Sequence, residues 1–361
     1  LNITKSKTMK IAVIALLKPS QVTYKITPLL RSDMVSLVVL FRKNKYEVSH
    51  EKLVQFVLPK FTKFKPLYWT LTPFYVAYQL RKLDIDLLIT YRFMPHTIYT
   101  FVVSKLLRKP FIYSQIDMDV VTLFENSLGK KLILTILRRA IQINVPGLQS
   151  SRFWGKYLSQ PINILHSTID IDMFKPTDAE VKYDLMCVGV LTKLKRVSLI
   201  IDTIYLLHKM GVKVTLAVVG EGNQRSHLEN QIETLGLSQH VYLLGHQIVT
   251  PTLLCSARVF TMASNSEGLP CALMEAMACE RLCIVTDVGN IPDIIVPSQT
   301  GFLYQTIKPS LMASQIAELL DKYNDYGLVR KNARHMIVKN HSFESATKKW
   351  DKIFKEVKFE K

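Results

Sequence analysis

The chain has 361 residues, 48% of them hydrophobic and 21% charged, with a formal net charge of +18. That balance excludes a disordered chain and suits two globular domains of ordinary size. No apolar run approaches the roughly 18 residues of a spanning helix, which excludes a helical membrane protein. The run from Ile11 to Leu17 lacks the cleavage pattern of a secretory signal and reads as a buried first strand. All five cysteines, Cys187, Cys255, Cys271, Cys279 and Cys283, lie in the second half without paired metal-ligand spacing. They read as buried small side chains in a reducing, cytoplasmic setting.

In chain order, short β-branched runs alternate with longer amphipathic ones. In the first half, strands are expected over 10–17, 34–41, 87–90, 111–114, 142–145 and 162–165, with helices over 73–83 and 98–107. In the second half, strands are expected over 184–188, 213–219, 241–244, 259–262 and 283–285. Helices there are expected over 198–210, 224–235, 270–278 and 308–322. Strand–helix alternation in both halves predicts an α/β chain of two doubly wound parallel sheets. The polar, Pro-containing stretch Lys175-Pro176-Thr177-Asp178 reads as the junction. Ligands of such a pair bind outside the carboxyl ends of the strands, where helix N-termini point inward.

The charge is unevenly shared. Residues 1–176 hold 26 Lys and Arg against 10 Asp and Glu, and residues 177–361 hold 21 against 19. Nearly all the excess sits in the first half and implies a polyanionic partner for it. The stretch Lys60-Phe61-Thr62-Lys63-Phe64-Lys65-Pro66-Leu67-Tyr68-Trp69, with Arg42, Lys43 and Lys45 near it in sequence, mixes cations with aromatic rings. That mixture suits an anionic membrane surface. Nucleic acid is the competing partner, but no helix-turn-helix, zinc or RNP-like pattern is present and none is expected to bind.

The densest chemical signal is Ser264-Asn265-Ser266-Glu267-Gly268-Leu269-Pro270-Cys271-Ala272-Leu273-Met274-Glu275-Ala276-Met277-Ala278. A strand ends just before it, and a polar turn follows with one carboxylate, Glu267. Gly268 permits close backbone approach to a ligand. Pro270 suits a first helical turn. The N–H groups of Cys271, Ala272 and Leu273 then make an anion site reinforced by the helix dipole. Glu275 follows within the helix. Two carboxylates on either side of such a site fit an elongated ligand with phosphates in the middle and hydroxyls at both ends, as in a nucleoside diphosphate sugar.

These residues resemble the group 1 glycosyltransferases (family 4), which adopt the GT-B fold: two Rossmann-like domains facing a cleft. The resemblance spans about residues 10–355. It is also carried by Thr286-Asp287-Val288-Gly289-Asn290-Ile291-Pro292, Thr300-Gly301-Phe302-Leu303, Val218-Val219-Gly220-Glu221-Gly222 and Ile169-Asp170-Ile171-Asp172-Met173-Phe174. The end of the chain, from His341 through Trp350 and Phe354, resembles the family's terminal helix. The resemblance implies an acceptor-binding domain over 1–175, with 341–361 packing back on it, and a donor-binding domain over 176–340. It implies a retaining hexosyltransferase that needs neither metal nor cofactor. Its donor is UDP- or GDP-linked and its acceptor a glycan or lipid-linked molecule; the basic-aromatic stretch places the protein in the cytoplasm, docked peripherally at the inner face of the plasma membrane. Glu267 takes the catalytic role of stabilising charge at the anomeric carbon, and Glu275 holds the ribose. The backbone from Gly268 and Leu269 through Pro270 to Leu273, with Gly189, holds sugar and diphosphate. Lys195 falls on the family's diphosphate lysine. The base is expected near His246, Gln247 and Ile248.

Departures concentrate on the phosphate clamp and the acceptor side. Val190 occupies the usual Arg position, leaving Lys193 or Arg196 to supply that cation, and Arg is not interchangeable with Lys there. The acceptor side offers Lys18, Asp119 or Asp117 in place of a Gly-rich turn and a His-Gly motif. His96, near a strand end, faces the cleft or serves structure. Glu280 stands where a glycine usually follows the helix. The alternatives are a catalytically degenerate subunit, a nucleotide-sugar epimerase or a glycan phosphorylase on the same fold.

Overall fold

The computed structural model describes residues 8–359 apart from 16, 18, 43–48, 60–64, 117–119, 121–123 and 125–126. The chain divides into two units, Leu1–Thr168 with Phe343–Lys361, and Ile169–Ser342. The first unit runs β1 (Met9–Ile14), α1 (Pro19–Arg31), β2 (Val35–Arg42), β3 (Leu53–Val57), α2 (Lys65–Arg81) and β4 (Leu87–Tyr91). After a π-helical turn (Phe93–Thr97) come α3 (Ile98–Leu107), β5 (Phe111–Ser114), α4 (Ser127–Leu137), β6 (Gln142–Val145), α5 (Leu148–Gly155) and β7 (Ile162–Ile164). Its strands pair in parallel in the order β3-β2-β1-β4-β5-β6-β7.

The second unit runs β8 (Tyr183–Val188), α6 (Val197–Lys209), β9 (Leu216–Val219), α7 (Arg225–Thr234), β10 (Val241–Gly245), α8 (Pro251–Cys255), β11 (Ala257–Met262) and α9 (Cys271–Ala278). It continues with β12 (Leu282–Val285), β13 (Phe302–Leu303), α10 (Pro309–Asp321) and α11 (Gly327–His341). Its parallel sheet has the order β10-β9-β8-β11-β12-β13. The chain's last helix, α12 (Phe343–Phe359), belongs to the first unit.

Strands buried on both faces read as near-continuous apolar runs, and β1 shows why. Ile11 and Val13 pack with Val22, Ile26 and Leu29 of α1 and with Trp350, Ile353 and Phe354 of α12. Ala12 and Ile14, on the other face, pack with Val76 and Leu80 of α2, Val103 of α3, Ile133 and Ile136 of α4, and Trp154 of α5. Polar contacts fix α12 in place: Ser32 Oγ donates to Asp351 Oδ1 at 2.5 Å, and Lys349 Nζ lies 2.8 Å from His166 Nδ1.

Several elements differ from the sequence-based expectation. β3 is absent from it because this strand is half-exposed, without the continuous apolar run of an interior strand. The helix expected from residue 73 begins at Lys65 and carries Pro73 inside it, so proline marks no boundary here; burial of Val76, Ala77 and Leu80 outweighs the lost helix bond. Pro28 sits likewise inside the unexpected α1. Helices α4, α5, α8 and α11 are also additional. β9 starts at Leu216 and not at 213, because Asp184 and Thr215 bond through their side chains (2.9 and 3.0 Å) and Val214 N donates to His208 Nε2 at 3.2 Å. Residues 175–178, expected as the junction, lie inside the second unit. Just before them Ile169 and Phe174 are buried in that unit's core, and Ile169 N donates to His341 O at 3.0 Å.

α9 ends in a tight left-handed turn. Glu280 N donates to Met277 O and Arg281 N to Ala276 O, both at 3.0 Å, the paired bonds of a Schellman ending. The residue that must turn is Glu280, with φ 55. A Cβ in this conformation costs about 1 kcal/mol. Glu280→Gly is therefore expected to stabilise the protein by about 1 kcal/mol and raise Tm by about 2–4 °C in calorimetry. A lower Tm would mean that the glutamate side chain contributes more than its backbone strain costs.

Candidate functional site

In a doubly wound sheet, ligands gather where the strand order reverses, outside the carboxyl ends of the two central strands. In the second unit that reversal falls between β8 and β11, which are adjacent and parallel. The turn after β8 carries Lys195, and the turn after β11 carries Glu267. Their side chains meet, with Lys195 Nζ 2.5 Å from Glu267 Oε1, both largely withdrawn from solvent. The two turns are knitted further. Asn265 N donates to Leu194 O at 2.8 Å, and the Arg196 guanidinium donates to Asn265 Oδ1. Cys187, buried in β8 within range of both charges, has its thiol pushed up to about 12 by burial, so it stays protonated at neutral pH.

The floor of the site is backbone against backbone. Gly220, with φ +145, follows β9; a Cβ there would lie 1.9 Å from Gly189 O, so no other residue fits without displacing β8's end. Gly220 N donates to Gly245 O at 2.8 Å, and Gly189 N to Val219 O at 2.9 Å. The stem of Lys195 runs past Gly189, its Cε 3.7 Å from where a Cβ would be. On the far side, Gly289 with φ +59 presses against the Glu267 carbonyl, and Asn290 N donates to Gly268 O at 3.1 Å. Thr286 Oγ1 donates to Ser264 O at 2.8 Å, tying the same turn to β12. Asn265, Gly289 and Asn290 were not singled out individually from the sequence, yet they set the position of Glu267.

α9 begins beside this turn. Pro270 is its N-cap, with extended φ −71 and ψ 124, and does not stand in the first helical turn as expected. The helix starts one residue later because the proline's own backbone stays extended. Pro270 itself makes no side-chain cap bond, and the helix start presents the backbone geometry in which leading N–H groups can bind an anion. Gly268 is partly exposed and Leu269 buried. Glu275 is only 7% exposed, on a helix otherwise packed in the core, which removes a solvated surface role.

Apart from Arg196, which reaches Asn265, the remaining expected residues lie away from the Lys195–Glu267 pair or outside the described residues. Val190 is 55% exposed and offers no charge at the clamp position. Lys193 and Arg196, the alternatives for that cation, line a cavity of about 390 Å3 with Ser198, Asp202 and Gln224, around the start of α6. His246, Gln247 and Ile248 follow Gly245 at the edge strand β10 and are exposed, Ile248 by 81%. Asp117, Asp119 and Lys18 lie outside the described residues, as do Lys43, Lys45 and residues 60–64 of the basic-aromatic stretch. His96 is buried in the π-helical turn, its ring edge-on to Tyr99 at 6.5 Å. Among the described residues no helix is long and apolar enough to cross a membrane.

Residues 168–336 match the family model for "Glycosyl transferases group 1". The N-acetyl-alpha-D-glucosaminyl L-malate synthase of Bacillus anthracis is 28% identical over 167 residues, 46% of this chain and 43% of that protein. The phosphatidylinositol N-acetylglucosaminyltransferase GPI3 subunit of Saccharomyces cerevisiae is 27% identical over 157 residues, 40% of this chain and 34% of that one. The match thus spans less than half the length of these curated relatives. Among solved structures, Anabaena Alr3699/HepE in complex with UDP and glucose is similar with a TM-score of 0.79 at 16% identity, covering 96% of this chain and 99% of that one. Sucrose-phosphate synthase from Thermosynechococcus elongatus has a TM-score of 0.78 at 16% identity, covering 98% and 100%.

Proposed function

We propose that this chain, whose residues 168–336 match the group 1 glycosyltransferase model and whose fold resembles that of the HepE structure, moves a hexose-type sugar from a nucleoside diphosphate to a glycan or lipid-linked acceptor. The carrying observation is the Lys195–Glu267 pair at the strand-order reversal, in the turn that leads into α9. A diphosphate on the Cys271–Leu273 N–H groups brings negative charge to Lys195. It competes with Glu267 for the ammonium, and the carboxylate turns to the anomeric carbon. Positive charge develops there as the bond to phosphate breaks, and a placed carboxylate stabilises it most in that transition state. Glu275 takes the ribose hydroxyls. The α9 dipole and Lys195 neutralise the leaving diphosphate, and no metal is required.

Support for a UDP-linked donor comes from the similar structures solved with UDP and UDP-glucose, and for an N-acetylhexosamine from relatives named for N-acetylglucosamine transfer. Anomeric configuration is retained in this scheme, and donor and acceptor meet at the cytoplasmic face of a membrane. A second proposal, a catalytically degenerate subunit, is favoured by exposed Val190 at the clamp and by relatives named as subunits.

Melting the protein with UDP, GDP, UDP-glucose and UDP-N-acetylglucosamine separates these. A true donor at about 100 times its Kd stabilises by about 2.7 kcal/mol, a rise of about 5–10 °C. Turnover of the same donor is then followed in EDTA. If no nucleotide shifts Tm, the donor assignment fails; binding without turnover by the isolated chain selects the degenerate subunit.

A further inference from the structure

We infer that the first unit docks on an anionic lipid bilayer through the outer surfaces of α2, α3 and α4. The three helices cover the same face of the seven-stranded sheet, turning Val76, Val103 and Ile133 inward to one core. Their opposite surfaces are apolar as well. On α2, Leu71, Phe74 and Tyr78 recur at helical spacing and are exposed, Phe74 by 56%. On α3 Leu106 is exposed, and on α4 Leu132 and Leu128, the latter by 78%. Outward apolar side chains recurring on three helices of one sheet face mark an interaction surface, unlike single scattered ones.

The charges around this surface identify the partner. None of the three helices contains an Asp or Glu. Exposed cations frame the apolar residues: Arg81 and Lys82 at the end of α2, Lys105 and Arg108 on and after α3, Lys131, Arg138 and Arg139 on and after α4. Lys82 Nζ stands 4.9 Å over the Tyr78 ring, so cation and aromatic share one spot. Asp84, the nearest acid after α2, is paired with Lys109 at 3.2 Å. A protein interface of this composition would leave many cations desolvated and unpaired, whereas an anionic leaflet accepts rings at headgroup depth and pairs each cation with a lipid phosphate. The surface lies on elements distinct from the donor-site turns, so its role stands or falls apart from the donor assignment.

The full chain is sedimented with vesicles of phosphatidylcholine alone or with one-third phosphatidylglycerol, at low and high salt. Of the three tryptophans, Trp154 and Trp350 are buried and Trp69 of α2 is half-exposed, so Trp69 reports on contact. Binding is expected only with phosphatidylglycerol, to weaken with salt, and to shift Trp69 emission to the blue. Phe74→Ser with Tyr78→Ser is expected to lower partitioning about tenfold, since exposed rings carry apolar area into the interface. Lys131→Glu with Arg138→Glu is expected to lower it about 25-fold or more, about fivefold per cation removed. Lys352→Glu with Lys355→Glu, on α12 across the sheet, changes it by less than these. Unchanged melting shows that each variant folds; one that melts early is replaced by Leu128→Ser, whose side chain is mostly in solvent. Absent binding at low salt, equal binding to both vesicles, or variants on α2 and α4 that bind like wild type overturns the inference. So does a duplex DNA that binds through the same residues when vesicles do not.

Discussion

Glu267→Gln is expected to lower sugar transfer by about 10²–10³-fold, the cost of removing one aimed electrostatic group from a transition state, while UDP binding holds or tightens. The direction of the binding change follows from the geometry. In the free site Glu267 occupies the Lys195 ammonium at 2.5 Å. Glutamine is the same size but carries no charge, so the ammonium becomes available to a diphosphate without competition. Lys195→Met is expected to do the opposite, weakening UDP about tenfold or more because a charge-assisted bond is lost. Initial rates at saturating donor and calorimetric titration with UDP measure the two quantities separately. Equal rates for Glu267→Gln and the parent would reject the catalytic assignment. A loss of UDP binding together with a lower Tm would make the pair a structural bridge between the turns after β8 and β11.

The parallel α/β plan was legible because its interior strands have two buried faces. Phe111–Ser114 and Gln142–Val145 needed only local composition to be recognised. Half-exposed β3 and the proline-containing helices α1 and α2 were not legible, since burial by distant residues decides them: Trp350 and Phe354 cover α1 from more than 300 positions away. The tight turns around Glu267 were readable because close backbone approach demands glycine, and glycine shows in sequence. What sequence could not give was pairing. Lys195 aligned with a phosphate ligand, and only the adjacency of β8 and β11 shows that it meets Glu267. Glu280 was visible as an oddity, and φ 55 supplies its physical meaning. The uneven charge was plain from composition, and the inferred surface extends the reading of the stretch 60–69 to further helices. The helices from 65 to 137 distribute the same chemistry over three outer surfaces with no acid among them.

The turn that aims Glu267 makes the second large prediction. Gly289→Ala is expected to destabilise the protein by about 3 kcal/mol, lower Tm by about 6–12 °C, and cut turnover by about 10²-fold even where the fold persists. A methyl at Gly289 would lie 1.8 Å from Glu267 O and 2.9 Å from its carbonyl carbon. Both contacts are backbone, so no side chain can rotate away. Relief requires Glu267–Gly268 to move, and the Asn290 N–H bond to Gly268 O must break or follow. Displacing that peptide displaces the carboxylate from the strand-order reversal, and misplacement of about 1 Å is enough for the loss in rate. The matched control is Gly211→Ala. Gly211 also has a left-handed φ, +84, but nothing lies within 4 Å of its Cβ position. That variant bears the conformational cost alone, about 1 kcal/mol, with no change in rate. Calorimetry and transfer assays on the pair separate backbone strain from displacement of the site. If both variants lose the same stability and neither loses activity, the Gly289 contact does not position Glu267.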